Sequence, residues 1–222
     1  MSGVHNLYYY GIPGRAEQVR LALHVAGVSW ENHVVNGESW GKMKADLVDK
    51  LPQANIPLLE VDGQYMTESL AILRYVGVLG GLIPDSAFAQ GKMDEGMSMT
   101  NDIFAVFGPT FAISDPEERI AARQALCAGP DGKLFKLMQK LDAMIAGFSG
   151  GYMAGDMLTV GDLCWFSIFG LMSCGMFDGF DTTFLDQFSN ITTFRKFIGT
   201  NPKVASRYAD ETEGLLFTGF KF

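Results

Sequence analysis

The sequence predicts an α/β half followed by an all-α half, and three observations lead there. Up to about Gly80, short strand-like runs alternate with helical ones. Beyond it almost every segment has helical spacing. The charge balance changes at the same place, from 6 basic and 8 acidic residues before it to 11 and 17 after it. These observations set a first domain over 1–80, a linker over 81–90 and a helical domain over 91–222. A chain of 222 residues is long enough for one large domain or two unequal ones, with an ample core.

In the first half the runs are VHNLYYY, RAEQVRLALHVAG, VSWENHVV, NIPLLEV, QYMT and ESLAILRYVG, a βαβ unit followed by ββα. In the first helix Val19, Leu23 and Ala26 recur at i, i+4 and i+7, and Gly27 supplies a left-handed cap. After a second helix comes a strand with Pro57 at its start, where a missing N–H is tolerated. Asp62-Gly63 is the two-residue turn of a hairpin. The segment from Gly77 to Gln90, with three glycines and Pro84, is the linker.

In the second half helices are expected over 93–111, 132–148, 159–176, 191–198 and 202–209. Thr159-Val160-Gly161-Asp162 is a capping box, and Leu158 with Leu163 flanks it as a hydrophobic staple, so that start is specified twice. The apolar run Leu163 to Phe177 has 15 residues, whereas about 20 are needed to cross a bilayer; a buried core helix explains it better.

Composition excludes several classes of function. Seventeen Phe, 12 Met and 7 Tyr are too many for a disordered chain. A net charge of −8 with no basic cluster argues against nucleic acid as a partner. The start MSGVHNLYYY lacks the basic region and apolar run of a cleaved leader, so a cytosolic protein is expected. Cys127, Cys164 and Cys174 are odd in number and without CxxC spacing, which fits reduced thiols. His5, His24 and His33 show no metal-ligand spacing, and no metal is expected.

The chemistry gathers in Tyr8-Tyr9-Tyr10-Gly11-Ile12-Pro13-Gly14-Arg15-Ala16-Glu17, which joins a strand to a helix through a Gly/Pro turn. Such a turn sets a strand-end phenol beside a helix N-terminus, where backbone amides favour an anion. Downstream lie Trp40-Gly41-Lys42-Met43-Lys44, then Asn55-Ile56-Pro57, then Glu68-Ser69 opening a helix. In their order and spacing these segments resemble the cytosolic glutathione transferases of the tyrosine type, nearest the sigma class and akin to mu, pi and alpha. The resemblance covers nearly the whole chain. It implies a thioredoxin-like first domain, an all-helical second domain whose sixth helix opens with the Thr-x-x-Asp box, and a homodimer.

The resemblance also assigns roles. The catalytic phenol is Tyr9, five residues before Gly14, and Tyr8 and Tyr10 are expected on the opposite face by strand alternation. Arg15 is the arginine beside the thiol. Trp40 and Lys44 hold the glycine carboxylate of glutathione, and Ile56 offers its backbone to the cysteinyl residue through a cis bond to Pro57, with Asn55 beside it. Glu68 and Ser69 take the γ-glutamyl end, and Asp102 reaches the same end across the dimer. The signs agree: two carboxylates meet Lys44 and a helix N-terminus, and one ammonium meets Glu68 and Asp102. The chain departs from the family pattern at Pro13 for an arginine, Asn55 and Glu68 for glutamines, and in about four extra residues between Lys44 and Pro57.

Glutathione in this reading is a co-substrate and itself the nucleophile. A thiol of pKa about 8.5 is only about 3% ionised at pH 7, and a two-unit depression, about 2.7 kcal/mol, makes most of it thiolate. A phenol O–H aimed at the sulfur, helped by the charge of Arg15, stabilises the anion and not the thiol. The second substrate is a small hydrophobic electrophile. The resemblance walls its pocket, expected to be aromatic and wide, with Tyr10, Ile12, Phe104, Phe107, Gly108, Phe111 and Phe217. Two other readings remain open: a non-enzymatic, crystallin-like structural protein, and a glutathione-dependent isomerase of the prostaglandin D synthase type.

Overall fold

The computed structural model describes residues 3–209 and 215–222. The chain divides into two compact units, Met1–Ile83 and Pro84–Phe222.

The first unit holds four strands, β1 (His5–Tyr9), β2 (Trp30–Val34), β3 (Leu58–Val61) and β4 (Gln64–Met66), in the order β2-β1-β3-β4. β1 runs parallel to β2 and antiparallel to β3, with Tyr8 opposite His33 on one side and Leu58 on the other. Parallel pairing needs a crossover, and α1 (Glu17–Ala26) makes it. It ends at Gly27, whose φ of 66° only glycine adopts freely and whose amide donates to the Leu23 and His24 carbonyls. β3 and β4 meet through Asp62-Gly63, both at positive φ (51° and 78°), the geometry of a two-residue hairpin turn.

Two further helices complete the unit, α2 (Gly37–Leu47) and α3 (Ser69–Gly80). α2 is held at its start by a capping box, the Asn36 side chain accepting from the Ser39 amide while the Ser39 hydroxyl accepts from the Asn36 amide, each at 2.9 Å. The alternation of β1 decides what each face carries. His5, Leu7 and Tyr9 are buried, and His5 Nε2 reaches the Tyr75 hydroxyl of α3 at 3.1 Å. Tyr8, on the other face, stacks on His33 (4.6 Å) and packs against the cluster of Trp40, Leu47, Leu51, Ala54 and Leu58.

The second unit is helical: α4 (Ala87–Phe107), α5 (Pro116–Cys127), α6 (Lys133–Ile145), α7 (Val160–Ser173), α8 (Ser189–Gly199) and α9 (Pro202–Arg207). α7 is its centre, buried from Val160 to Met172 on every side, which accounts for a run that is apolar all round. Its capping box forms. Thr159 N–H and Oγ1–H donate to Asp162 Oδ2 at 2.8 and 2.7 Å, and the Met153 amide donates to Oδ1 at 2.7 Å. Burial pushes the Asp162 carboxyl up to about 6, and these donors pull the other way. No helix among the described residues is long and apolar enough to cross a membrane.

Three expectations are corrected. The linker over 81–90 is shorter, because α4 starts at Ala87, where the Ser86 hydroxyl caps the Ala89 amide; Gln90 lies inside the helix. α4 ends at Phe107, and Gly108–Ala112 continues as a tighter 3-10 turn. α5 lies where no helix was expected. Its sequence signal was nonetheless present: Asp115 as cap, accepting from the Glu117 and Glu118 amides, Pro116 in the first turn, and two acids after it.

Candidate functional site

β1 ends at Tyr9, and the chain turns through Tyr10–Pro13 into a 3-10 turn over Gly14–Ala16 that leads into α1. This turn folds back on the phenol. The Arg15 amide donates to Tyr9 Oη at 3.0 Å. Gly14 makes the approach possible: its φ is +46°, and a Cβ there would sit 2.5 Å from Tyr9 Oη. Tyr9 is only 8% exposed, and burial raises its pKa against the opposing pull of the Arg15 amide and the charges of Arg20 and Arg15. The phenol is thus kept protonated. One lone pair is taken by the amide, and the O–H remains to be given to an anion.

Tyr10 departs from the expected opposite face. It lies beyond the last residue of β1, so alternation no longer governs it, and its ring stands 5.6 Å from that of Tyr9. Ile12 is half-buried in the same loop. Arg20 is a residue that reading the sequence missed. Its guanidinium lies 5.6 Å from the centre of the Tyr9 ring, and its charge lowers the Tyr9 pKa more than that of Arg15 does. The only signal was its place one turn after Glu17 on α1, the spacing of a helical ion pair.

The remaining candidates of the first unit fall into two groups. Trp40, on α2, is buried in the core cluster with Leu47, Leu51, Ala54 and Leu58, so packing is its first role, while Lys44 on the same helix is exposed. Lys42 pairs instead with Glu38 at 2.7 Å. The Ile56–Pro57 bond is cis. Asn55 Oδ1 accepts from the Ile56 amide at 3.0 Å, and the Asn55 carbonyl accepts from the Thr67 hydroxyl at 2.8 Å, which ties this loop to the segment before α3. The Ile56 amide, expected to be open to a peptide, therefore already has a partner in its neighbour's side chain. Glu68 holds the N-cap position of α3 without a side-chain cap bond, at φ 71° and ψ 105°, a conformation that costs a non-glycine residue on the order of 1–3 kcal/mol and recurs at binding sites. Glu68 is exposed, and the following Ser69 is buried in the first turn of α3. The amides of a helix start, which favour an anion, and an acidic side chain thus stand together.

The second unit carries the other candidates. Asp102 is exposed on α4. Phe104, Phe107 and Phe111 line one cavity with Ile168, Phe177 and Phe180. It measures about 30 Å³, room for little more than a water molecule, and is apolar throughout. The rings close it: Phe107 lies 4.8 Å from Phe177 and 5.6 Å from Phe180. Buried Arg123 stacks on Phe107 and Phe111 at 5.1 and 5.2 Å, bonded to Thr110 (3.1 Å) and to the carboxylate of Asp178. Gly108 and Phe217 do not line this cavity. Gly108 follows the end of α4, and Phe217 packs with Tyr208 and Phe220.

Among the described residues no group of three or more His, Cys, Asp or Glu side chains could hold a metal ion. What the first unit offers chemically is a buried, protonated phenol able to donate a hydrogen bond to an anionic atom.

Two family models match the chain: the glutathione S-transferase N-terminal domain over residues 5–77 and the glutathione S-transferase C-terminal domain over 110–210. Glutathione S-transferase 1 of Ascaris suum is 30% identical over 164 residues, 72% of this chain and 75% of that protein. The hematopoietic prostaglandin D synthase of Homo sapiens is 27% identical over 202 residues, 91% of this chain and 94% of that one. In three dimensions, the prostaglandin synthase D of Nilaparvata lugens superposes with a TM-score of 0.79 at 24% identity, over 94% of this chain and 98% of its own, a likeness of fold.

Proposed function

Because the chain belongs to the glutathione S-transferase family, we propose that it binds glutathione in its first unit and transfers the thiolate to a small hydrophobic electrophile, with Tyr9 as hydrogen-bond donor to the sulfur. The observation that carries this is the Tyr9 hydroxyl itself, buried, kept protonated, and bonded to the Arg15 amide in a way that leaves its proton to give. The nucleophile is the co-substrate: the three cysteines lie in the helical unit, and burial raises the thiol pKa of Cys127, to about 11, and of Cys174.

In the same reading Arg15 contributes charge near the sulfur. Lys44 and Trp40 take the glycine carboxylate, and Ile56 with Asn55 and Pro57 receives the cysteinyl backbone, its amide changing partner from Asn55 to glutathione. Glu68 and Ser69 take the γ-glutamyl end, joined by Asp102 of a second copy in a homodimer. Tyr10, 38% exposed beside the Tyr9 ring, supports an apolar acceptor near the sulfur. Val78 on α3, 66% exposed, is an apolar side chain available for self-association. The chain works in the cytosol and sits nearest the sigma class.

The test is the ultraviolet spectrum of the protein with glutathione as a function of pH, beside conjugation of an aryl halide. Thiolate absorbance appearing well below the ordinary thiol pKa supports the proposal. A chain that neither binds glutathione nor conjugates is the structural protein of the alternative reading. A second activity has support in the relatives named prostaglandin D synthase: isomerisation, in which the thiolate adds and is later expelled. Product analysis with an endoperoxide distinguishes it.

A further inference from the structure

Arg20 stands on the second turn of α1 with 4% of its surface exposed, and its bonds radiate to every part of the loop that carries the site. Nη1 donates to the carbonyl oxygens of Ile12 (2.9 Å) and Pro13 (3.3 Å), and Nη2 to that of Tyr10 (3.2 Å). Nε donates to Asn32 Oδ1 on β2 at 3.0 Å. Buried Glu17 lies 3.3 Å from Nη1 and balances the charge. The guanidinium also faces the Tyr9 ring.

These contacts answer a question the loop itself poses. Tyr10 and Ile12 lie between the last residue of β1 and the 3-10 turn, outside the strand ladder, so their carbonyls need partners from elsewhere, while the Pro13 carbonyl also accepts from the Glu17 amide at 3.0 Å. One planar fork satisfies the Tyr10 and Ile12 carbonyls, adds a second bond to that of Pro13, and ties the loop to β2 and α1 together. Gly14, which packs against the phenol, and the Arg15 amide, which donates to it, follow directly from this loop, so their position against Tyr9 depends on where the loop is held.

We infer that Arg20 is a positioning residue for the transfer reaction: by fixing the Tyr10–Pro13 loop it sets the Arg15 amide against Tyr9 Oη, and so determines how strongly the phenol stabilises a bound thiolate. The inference rests on the proposed role of Tyr9 as donor. Charge alone does not suffice for this task. A lysine ammonium is a point charge on a flexible stem and cannot span the Tyr10, Ile12 and Pro13 carbonyls and Asn32 at once.

Arg20→Lys keeps the charge and removes the fork, and the readout is the titration of bound glutathione followed by thiolate absorbance. The thiol pKa is expected to rise by about half to one unit, giving roughly three- to tenfold less thiolate at a fixed pH below it, with kcat falling in step and the glutathione KM changing less than about threefold. An unshifted titration, or a loss confined to thermal stability, overturns the inference. Should Arg20→Lys not fold, Arg20→Gln combined with Glu17→Gln removes both partners of the buried pair and avoids stranding one charge. The same rise in thiol pKa is expected there, and an unchanged titration overturns the inference equally. Tyr9→Phe is titrated alongside. If it behaves as the parent, the donor reading itself fails; if it shifts while Arg20→Lys does not, only the role of Arg20 fails.

Discussion

The Arg15 backbone amide donates to the Tyr9 hydroxyl at 3.0 Å. The residue that a family resemblance marks for its positive side chain thus acts on the phenol first through its peptide group. An N–H bonded to a phenol oxygen polarises the O–H on the same atom, and the charge of Arg20 acts on the phenol in the same sense.

Tyr9→Phe is expected to lower turnover about tenfold or more, roughly 1.4 kcal/mol of transition-state stabilisation, with little change in glutathione binding. Tyr8→Phe serves as the control, because Tyr8 stacks on His33 on the opposite face of β1. Steady-state conjugation kinetics on both variants checks this, and an equal loss in the two would contradict the assignment.

Gly14→Ala introduces a methyl 2.5 Å from Tyr9 Oη at a φ of +46°. Something must move, and the phenol is what lies in the way. We expect activity to fall at least as far as in Tyr9→Phe, with a stability loss of about 1 kcal/mol or more from the left-handed backbone alone. Denaturant unfolding beside kinetics measures both.

The pH profile has a defined sign. Burial raises the Tyr9 pKa above its ordinary 10, so the phenol holds its proton throughout the neutral range and its donor function is lost only as the pH climbs beyond that value. At saturating glutathione the rising limb of kcat between about pH 5 and 8 is therefore expected to follow the bound thiol, and Tyr9→Phe to move that limb upward. A profile that falls below pH 10 through ionisation of Tyr9 would contradict this.

Lys44 is exposed on α2, and a single solvent-facing contact to a carboxylate is worth about 0.5–1 kcal/mol. Lys44→Ala is expected to weaken glutathione binding by about two- to fivefold, with kcat unchanged, and added salt should narrow the difference. Calorimetric titration at two ionic strengths provides the check.

Asp162→Ala leaves the Thr159 and Met153 amides without their carboxylate acceptor inside a fully buried helix start. A loss of about 2–4 kcal/mol is expected, seen as a lower melting temperature, with the thiol titration of the folded fraction unchanged.

Much of this protein was legible before any coordinates. Strand alternation in residues 5–9, the 3.6-residue period of α1, the Asp62-Gly63 turn, the left-handed cap at Gly27 and the Thr159–Asp162 box are properties of neighbours a few positions apart, and sequence displays them directly. α5 was equally local and could have been found from its Asp-Pro start. Tertiary packing decided what lies between distant segments: that Arg20 bonds the Tyr10, Ile12 and Pro13 carbonyls and Asn32 on β2, that Trp40 is a core side chain, that the Asn55 carbonyl is met by Thr67, and that Phe107 closes on Phe177 and Phe180. The physical reason is reach. Periodicity reports which face a side chain occupies, whereas the partner it meets there depends on how whole elements stack, and a buried guanidinium or ring takes whichever neighbours the stacking brings within bonding distance.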